Sequence, residues 1–259
     1  MPQLDIYKKK FNKNGFVLLK DYLTEDEGNN IVEMADDLEK WDEKRGKWML
    51  FFEKKDDVKY KSRLENFVNY HNGLNDFLRN RIENIVEEIY DSKLNLLKDK
   101  LNWKFGGGKG FKAHQDQPAW IDFEPNRYVS VALFANNSTK ENGCLEFSNN
   151  SYNRTLLSYD KETTGQLSKE IEDSLDWKHI ETTPRDILIF DSYAPHRSGS
   201  NNTENNRRIF YFTYNDEKYG DLYNSYLKKK REEFPPDIER DNKNINIFNN
   251  KYNLANPII

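Results

Sequence analysis

The residues of this chain best suited to chemistry are a His-X-Asp pair, a distant third histidine and an arginine. His114 and Asp116 stand in the string FKAHQDQPAW, and His196 stands in DILIFDSYAPHRSGS. Two imidazoles and one carboxylate form the ligand set that holds non-haem Fe(II) by one face and leaves positions open for oxygen and a co-substrate. Arg207 follows His196 by 11 residues, and its planar guanidinium can clamp a carboxylate of that co-substrate. The pattern predicts an oxygenase that uses Fe(II), 2-oxoglutarate and O2.

We expect an extended segment to position the first two ligands. Side chains two residues apart on a β-strand point to the same face, so His114 and Asp116 can reach one metal while Gln115 points away. The strings WKF and GFKAHQD are β-prone, and the glycine run 106–108 between them predicts a turn.

The third ligand has to come from another part of the fold. The apolar run 187–190 predicts a buried strand, and the chain then reaches His196 at the end of the string SYAPH. The polar stretch 198–206 predicts a turn, after which Arg207 opens the β-prone run RRIFYFTY. We therefore expect two neighbouring antiparallel strands to present His196 and Arg207 to one pocket.

The same residues also have plainer interpretations. A His-X-Asp pair alone is a weak signal, because Asp is common in this chain, and an isolated histidine such as His71 or His179 is more often a surface residue than a ligand. However, the chain has only 4 histidines, and two of them occur in the order that an iron site requires, with the arginine at the matching offset. The conjunction favours iron over chance.

Composition and charge argue against several classes of function. A net charge of −4 gives no electrostatic footprint for nucleic acid, and no apolar run reaches the ~20 residues that a membrane span needs. The N-terminal string MPQLDIYKKK lacks the apolar segment of a signal peptide, and the single cysteine, Cys144, excludes an internal disulfide. We therefore expect a cytoplasmic protein that binds neither nucleic acid nor membrane, with its oligomeric state left open.

Hydrophobic patterning predicts a single domain, 1–259, with three parts. Residues 1–94 are expected to be mostly helical, because TEDE offers a capping box and LNDFLRNRIENIVEEIY has apolar residues at helical spacing. Residues 95–215 are predicted to form the β core. Residues 216–259 are predicted to hold one charged helix, LYNSYLKKKREEF, and an Asn-rich tail.

Two further motifs are set aside. The run GGGKG at 106–110 lacks the form of a phosphate-binding P-loop, and it leads into a strand instead of a helix. The basic run 228–231 is followed at once by two glutamates, which favours a solvated helical face over a nucleic-acid patch.

These motifs resemble the phytanoyl-CoA dioxygenase superfamily. The match includes the His-X-Asp pair, ENGCLEF at 141–147, the strand DILIFD, and a His-X-Ser sequence with its arginine 11 residues on, all within 95–215. The resemblance implies a mainly β fold with flanking helices (α+β), whose core is a double-stranded β-helix of the jelly-roll type. One departure is visible, because the chain has NNSY at 149–152 where the family usually has Pro-Gly-Ser-His.

A narrower resemblance extends over more of the chain. RLENF at 63–67, GGGKGFKAHQD, VALFANNSTKENGCLEF and FPPDIERD at 234–241 are similar to a branch that hydroxylates 2-aminoethylphosphonate and 2-(trimethylammonio)ethylphosphonate. This implies hydroxylation of a small aminoalkylphosphonate at the carbon next to phosphorus, with a downstream partner enzyme that cleaves the C–P bond. Two alternatives stay open: the same chemistry on another small zwitterion, such as a betaine or amino acid derivative, and a non-catalytic metal-binding β-barrel.

The resemblance also implies roles for individual residues. Fe(II) would be held by His114, Asp116 and His196. The residues implied to bind 2-oxoglutarate are Arg207, Ser198 and Asn102. A phosphonate needs cations, for which the candidates are Arg63, Lys98 and Lys104. An amino or trimethylammonium group needs an aromatic face or a carboxylate, and the candidates for this end are Trp120, Asp122, Tyr193 and Tyr70, with Asn66 as an added hydrogen-bonding group.

Overall fold

Antiparallel strands in two sheets form the centre of the molecule. The computed structural model of the protein describes residues 2–55, 57–148, 150, 152–157 and 165–240. The tail from 241 and part of the NNSY loop lie outside the described residues. The strands are β1 (Phe16–Leu19), β2 (Met49–Lys55), β3 (Val58–Glu65), β4 (Leu94–Lys104), β5 (Phe111–His114), β6 (Tyr128–Phe134), β7 (Leu145–Ser148), β8 (Trp177–Ile180), β9 (Ile187–Asp191), β10 (His196–Ser198) and β11 (Arg207–Asp216).

The order of the strands crosses back and forth between the sheets. The larger sheet has the order β1-β9-β6-β11-β4-β3-β2, and the smaller sheet has the order β5-β10-β7-β8. This confirms the expected jelly-roll core with flanking helices. The N-terminal part holds helices, and it also contributes β1, β2 and β3 to the larger sheet.

Period-two alternation in the larger sheet separates two packing layers. In β6, Val129, Val131 and Leu133 belong to the cluster that packs against the helices. Their neighbours Ala132 and Phe134 belong to a second cluster, which also contains side chains of the smaller sheet. Because successive side chains of a strand point to opposite faces, one face of the larger sheet is covered by helices and the other faces the smaller sheet.

Helices flank the sheets. Their bounds are α1 (Pro2–Asn14), α2 (Glu25–Glu39), α3 (Asn72–Phe77), α4 (Glu83–Tyr90), α5 (Lys169–Ser174) and α6 (Tyr223–Glu233), with a π-helical turn at Leu78–Ile82 between α3 and α4. The predicted capping box is confirmed at the start of α2. There the Oγ1 of Thr24 accepts a hydrogen bond from Glu27 N at 3.2 Å, and Thr24 N donates to the Glu27 carboxylate at 2.8 Å.

The last described α-helix, α6, packs against side chains of β2 and β4. Tyr223, Tyr226 and Leu227 form a buried cluster there with Met49 and Phe51 of β2. Among the described helices, none is both long and apolar enough to cross a bilayer.

Candidate active site

His114, Asp116 and His196 converge on one point. The Nε2 atoms of His114 and His196 lie 3.7 Å and 4.0 Å from Oδ1 of Asp116, and one ligand atom from each residue lies within 4.8 Å of the other two. β5 and β10 are neighbours in the smaller sheet, and their pairing sets His114 opposite His196. The register of two short strands therefore joins residues that are far apart in the sequence.

The aspartate reaches this point from a turn. β5 ends at His114, and Asp116 is the N-cap of a short 3-10 turn, Gln117–Trp120. The expectation that both ligands lie on one strand was therefore wrong in its geometry, although the two side chains do meet. Gln115 between them is held by loops, because its amide nitrogen donates to the backbone oxygens of Thr155 at 2.9 Å and Tyr193 at 2.7 Å.

The sequence predicted that His196 and Arg207 lie on neighbouring strands, and this prediction was wrong. His196 opens β10 in the smaller sheet, whereas Arg207 opens β11 in the larger sheet. The turn between them crosses from one sheet to the other. As a result, the two residues belong to opposite walls of the core instead of to one β-hairpin.

Hydrogen bonds fix the orientation of both imidazoles. The Nδ1 atom of His114 lies 2.7 Å from the carbonyl oxygen of Lys112, and that of His196 lies 3.0 Å from the carbonyl oxygen of Ala194. A carbonyl oxygen only accepts, so each Nδ1 carries the proton. The Nε2 atoms are left with free lone pairs that face Asp116, which is the tautomer that a metal ligand needs.

The protonation states favour a cation at this point. Burial lowers the pKa of His114 to about 4, and the neighbouring His196 adds to the shift, so His114 is neutral at pH 7. Burial on its own would raise the pKa of Asp116, but His196, His114 and Lys100 together hold it below its usual value. A neutral imidazole and an ionised carboxylate are suitable first-row metal ligands, and the set of donors fits Fe(II).

Arg207 carries unsatisfied hydrogen-bond donors in the protein interior. It is 1 % exposed, and in the described part of the chain its Nε and Nη1 atoms have no hydrogen-bond partner. Buried N–H groups normally have one. Burial lowers the pKa of this guanidinium, yet arginine remains charged in proteins. Unpaired N–H donors on a buried cation fit a carboxylate, such as the distal carboxylate of 2-oxoglutarate.

Ser198 and Asn102 are connected to Arg207 through β4. Ser198 Oγ accepts a hydrogen bond from Lys104 Nζ at 2.8 Å, and Lys104 is the β4 residue that pairs with Arg207 of β11. Burial, with the positive charge of Arg207 adding to it, lowers the pKa of Lys104 to about 6. Asn102 lines the cavity, and its Oδ1 has no partner among the described residues. Lys104, a candidate for the phosphonate, thus lies beside the 2-oxoglutarate candidates and outside the cavity lining.

A cavity of about 100 Å³ adjoins the three ligands. One part of its wall is apolar and is formed by Phe111, Trp120, Leu145 and Phe190. Another part is cationic and is formed by Arg63, Lys98, Lys100 and Lys230. The polar side chains of Ser130 and Thr213 complete this wall, with their hydroxyl oxygens 2.9 Å apart.

The structure brings only some of the substrate candidates to this cavity. Those that line it are Arg63, Lys98 and Trp120. Asn66 lies outside it and donates its side-chain amide to Lys47 O at 2.9 Å. Asp122 forms an ion pair with Lys229.

Two tyrosine candidates also lie away from the cavity. Tyr193 donates its hydroxyl to Asn126 O at 2.9 Å. Tyr70 is 37 % exposed and meets the ring of Trp48 edge-on, with centroids 5.6 Å apart. Both side chains therefore have structural contacts elsewhere.

Two cations of the wall were not singled out from the sequence. Lys100 follows Lys98 at strand spacing on β4 and pairs with Tyr211 of β11, so period-two alternation would have found it. Lys230 belongs to the run 228–231, which the sequence assigned to a solvated face. That assignment fits Lys228, whose side chain is 78 % exposed, but it is wrong for Lys230, which is 1 % exposed.

One buried carboxylate organises the cationic wall. Oε1 of Glu65 lies 3.6 Å from Arg63 Nη1, 3.9 Å from Lys98 Nζ and 3.8 Å from Lys230 Nζ. Burial alone would raise the pKa of Glu65, but these cations, led by Lys230, lower it to about 2. Burial also lowers the pKa of Lys100 to about 7. Gathering so many buried cations around one carboxylate is costly unless an anion joins them.

Comparison with known proteins identifies a family. The model of the phytanoyl-CoA dioxygenase (PhyH) family matches residues 11–209. A 2-aminoethylphosphonate dioxygenase from the uncultured bacterium HF130_AEPn_1 is 38 % identical over 256 residues, which cover 97 % of each chain. A methylphosphonate hydroxylase from Gimesia maris is 35 % identical over 226 residues, which cover 87 % of this chain and 85 % of that protein.

Solved structures show the same architecture. The crystal structure of SnoN, a non-haem alpha-ketoglutarate-dependent epimerase from nogalamycin biosynthesis, superposes with a TM-score of 0.71. The superposition covers 83 % of this chain and 84 % of that chain at 16 % sequence identity. At this level of identity, the likeness concerns the fold alone.

Proposed function

Because this chain belongs to the phytanoyl-CoA dioxygenase family, we propose that it hydroxylates a small phosphonate at the carbon next to phosphorus. The enzyme is a dioxygenase of a small molecule, and it uses Fe(II), 2-oxoglutarate and O2. The identity of the substrate and the role of each residue are the content of the proposal.

In this proposal, His114, Asp116 and His196 hold the iron through two Nε2 atoms and one carboxylate oxygen. Arg207 binds the distal carboxylate of 2-oxoglutarate through its guanidinium, and Ser198 supports it. The donor set and the unsatisfied guanidinium support these roles. When bound, iron and 2-oxoglutarate supply the oxidation, in which O2 is consumed, succinate and CO2 are released and a substrate C–H becomes C–OH.

One observation supports the assignment of the substrate: basic side chains and the three candidate metal ligands line the same small cavity. Arg63 and Lys98 are held side by side by Glu65, and they would bind the phosphonate oxygens. The carbon attached to phosphorus then lies on the side of the cavity that the triad occupies. Asn102 of β4 also lines the cavity, where its amide nitrogen can donate to 2-oxoglutarate and its unpartnered Oδ1 can accept a hydrogen bond from the ammonium group of the substrate.

The remaining end of the substrate would contact the apolar wall. Trp120 offers an aromatic face there, and such a face attracts an ammonium or trimethylammonium group. We therefore propose 2-aminoethylphosphonate or its trimethylammonio analogue as the substrate. The two relatives described above bear names that denote oxidation of a phosphonate, and this supports the class.

Phosphorus NMR tests the proposal directly. The protein is incubated with Fe(II), ascorbate and 2-oxoglutarate, and with 2-aminoethylphosphonate, its trimethylammonio analogue or methylphosphonate. We expect a new phosphorus signal from a 1-hydroxyphosphonate and one succinate for each molecule of product. If no phosphonate gives a new signal while a betaine or amino acid derivative stimulates succinate release, the phosphonate assignment is wrong and the hydroxylase remains. Absence of turnover with every substrate would favour the non-catalytic barrel.

The product defines the reaction that would follow. A 1-hydroxyphosphonate carries an oxidised carbon beside phosphorus, so the proposed partner is an enzyme that cleaves this C–P bond. We place the reaction in the cytoplasm, because the single Cys144 is buried and free, as is usual in a reducing compartment.

A further inference from the structure

One face of α6 is directed entirely into the core. Tyr223, Tyr226, Leu227 and Lys230 are all buried. Tyr223 is three and four residues before Tyr226 and Leu227, and Lys230 is four and three residues after them, so all four lie on the same side of the helix. Three of them pack or donate hydrogen bonds, as expected of a structural helix. The fourth is a lysine, which seldom occupies such a position.

The two tyrosines attach this face to buried carboxylates. The hydroxyl of Tyr223 donates to Asp99 Oδ1 at 2.9 Å, and the hydroxyl of Tyr226 donates to Glu65 Oε2 at 3.0 Å. The second carboxylate is the one that organises the cationic wall of the cavity. The helix is therefore anchored at the same group that holds the candidate phosphonate cations.

Lys230 reaches the cavity along an apolar path. Its ammonium nitrogen lies 5.5 Å from the ring centroid of Phe51 and 4.9 Å from that of Phe234, and the group lines the cavity. A lysine stem packs well on aromatic rings, while its charged end seeks polar surroundings. Here the charged end points to Glu65 at 3.8 Å, beside the other cations.

The charges of this wall favour an entering anion. Arg63, Lys98, Lys100 and Lys230 are four basic groups, and burial lowers the pKa of the three lysines. The carboxylates that act on them are Glu65, Asp99 and Asp116, and an entering anion favours the charged forms of the lysines. A metal ion held by the triad would add further positive charge. Like charges in a buried site repel one another, and a dianion relieves this repulsion more than a monoanion of the same shape.

We infer that Lys230 is a substrate-binding residue, whose ammonium group completes the anion subsite and selects a doubly charged head group over a singly charged one. The inference rests on the proposed function and deepens it. It makes the C-terminal helix part of the active site, so a segment that begins after the last core strand determines the charge specificity of the enzyme.

Direct binding tests this role without turnover. Metal-free protein is titrated by calorimetry at pH 8 with methylphosphonate and with methanesulfonate, a monoanion of similar shape. Lys230→Met keeps a flexible apolar stem between Phe51 and Phe234 and removes the charge. Lys228→Met, on the exposed side of the same helix, is the matched control. Lys230→Arg restores a cation at the site.

We expect Lys230→Met to weaken methylphosphonate binding by about tenfold or more, or about 1.4 kcal/mol, and to reduce the preference over methanesulfonate. Lys228→Met should stay within about twofold of the wild type, since exposed charges contribute little, and Lys230→Arg should recover most of the affinity. An affinity of Lys230→Met within about twofold of the wild type overturns the inference, as does a wild type that does not bind methylphosphonate.

The proposed function can fail separately. If the wild type binds methylphosphonate, Lys230→Met does not, and phosphorus NMR shows no hydroxylated product from any phosphonate, the subsite stands and the substrate assignment falls. Thermal unfolding of each variant, measured beside the titrations, verifies that it is folded.

Discussion

The two ends of the active-site cavity are built in different ways. At the metal end, His114 and Asp116 are near neighbours in sequence, and His196 starts the strand that pairs with β5. At the anion end, the cations come from β3, from β4 and from α6, which are far apart along the chain. The metal end is therefore formed by a short sequence motif and one strand pairing. The anion end forms only when β3, β4 and α6 pack together.

The electrostatics of the two ends differ in the same way. The metal end combines a neutral imidazole, whose pKa burial lowers to about 4, with an ionised carboxylate, and its charge is set by the ion that it binds. The anion end gathers basic side chains around Glu65, and burial lowers the pKa of Lys100 there to about 7. In the proposed function, the metal and the substrate are bound by different groups, and the two ends are linked electrostatically because Lys100 and Lys98 lower the pKa of Asp116.

Loss of a metal ligand should have the largest effect. Changing His196 to Ala removes one of three donors, and we expect Fe(II) affinity to fall by more than the ~100-fold that even outer partners of a ligand can cost. Turnover should be undetectable, while methylphosphonate binding to the metal-free protein should be preserved. Iron content after dialysis and calorimetry measure the two outcomes.

A matched histidine serves as the control for this variant. His179 lies on β8 with its side chain 39 % exposed, so His179→Ala should retain iron and turnover. If His196→Ala still binds one equivalent of Fe(II) as tightly as the wild type, the assignment of the metal end is wrong.

At the anion end, Glu65→Gln should cost stability. The carboxylate is fully buried and pairs with Arg63, Lys98 and Lys230. Removing one partner of a buried ion pair leaves charge uncompensated and costs about 3 kcal/mol. Urea denaturation at pH 6 should show this loss in the free energy of unfolding. Added methylphosphonate should recover part of it, because a bound anion replaces the lost charge.

The pH dependence gives this prediction a sign. The folded-state pKa of Lys100 is about 7, well below its usual value, chiefly because of burial. A lysine with a lowered pKa binds fewer protons in the folded state, so stability rises as pH increases above about 7. The deficit of Glu65→Gln should therefore be smaller at pH 9 than at pH 6. An equal deficit at both pH values would show that the wall is not charged as described.

An intermediate effect is expected at Arg207. Arg207→Lys keeps the charge but loses the two-pronged geometry, so we expect the KM for 2-oxoglutarate to rise by about tenfold, or about 1.4 kcal/mol. Binding of the phosphonate should change little. Steady-state kinetics with each substrate varied in turn separate the two constants.

The neighbouring arginine is the control here. Arg208 is directed to the outside of the sheet, where its guanidinium pairs with Asp36 and Glu39. Arg208→Lys should leave the KM for 2-oxoglutarate unchanged. A rise with Arg208→Lys, or none with Arg207→Lys, would move the clamp to another residue.

The sequence predicted the metal end because its information is local. The order of the ligands, the offset of Arg207 and the β-prone strings around them were enough to find the triad. The prediction that the strands of His196 and Arg207 are neighbours was wrong. The turn after β10 could form a hairpin or cross to the facing sheet, and the pattern of residues in the strands does not distinguish the two. Asp116 was placed on a strand for the same reason, because the end of β5 is set by the turn at Gln117–Trp120.

The anion end was only partly predictable. Lys98 was proposed, and Lys100 follows from it by strand alternation. Lys230 stands in a run of three consecutive lysines, and composition alone cannot show which one is buried. The choice is made by the helix face that carries Tyr223 and Tyr226, and this becomes evident only when both hydroxyls are seen to meet buried carboxylates.

The smallest expected effect tests the link between α6 and the anion end. Tyr226→Phe removes the hydroxyl that donates to Glu65, and a hydrogen bond to a charged group contributes about 1.5–3 kcal/mol. The basic side chains still hold the Glu65 carboxylate in place, so only part of this free energy is lost from substrate binding. We therefore expect the KM for the phosphonate to rise about three- to fivefold with kcat nearly unchanged. Tyr223→Phe removes a similar hydroxyl on the same helix, but from Asp99. It should lower stability and leave the KM alone. Equal changes in KM for both variants would mean that the helix acts through general packing, whereas a change confined to Tyr226→Phe places its influence on the substrate at Glu65.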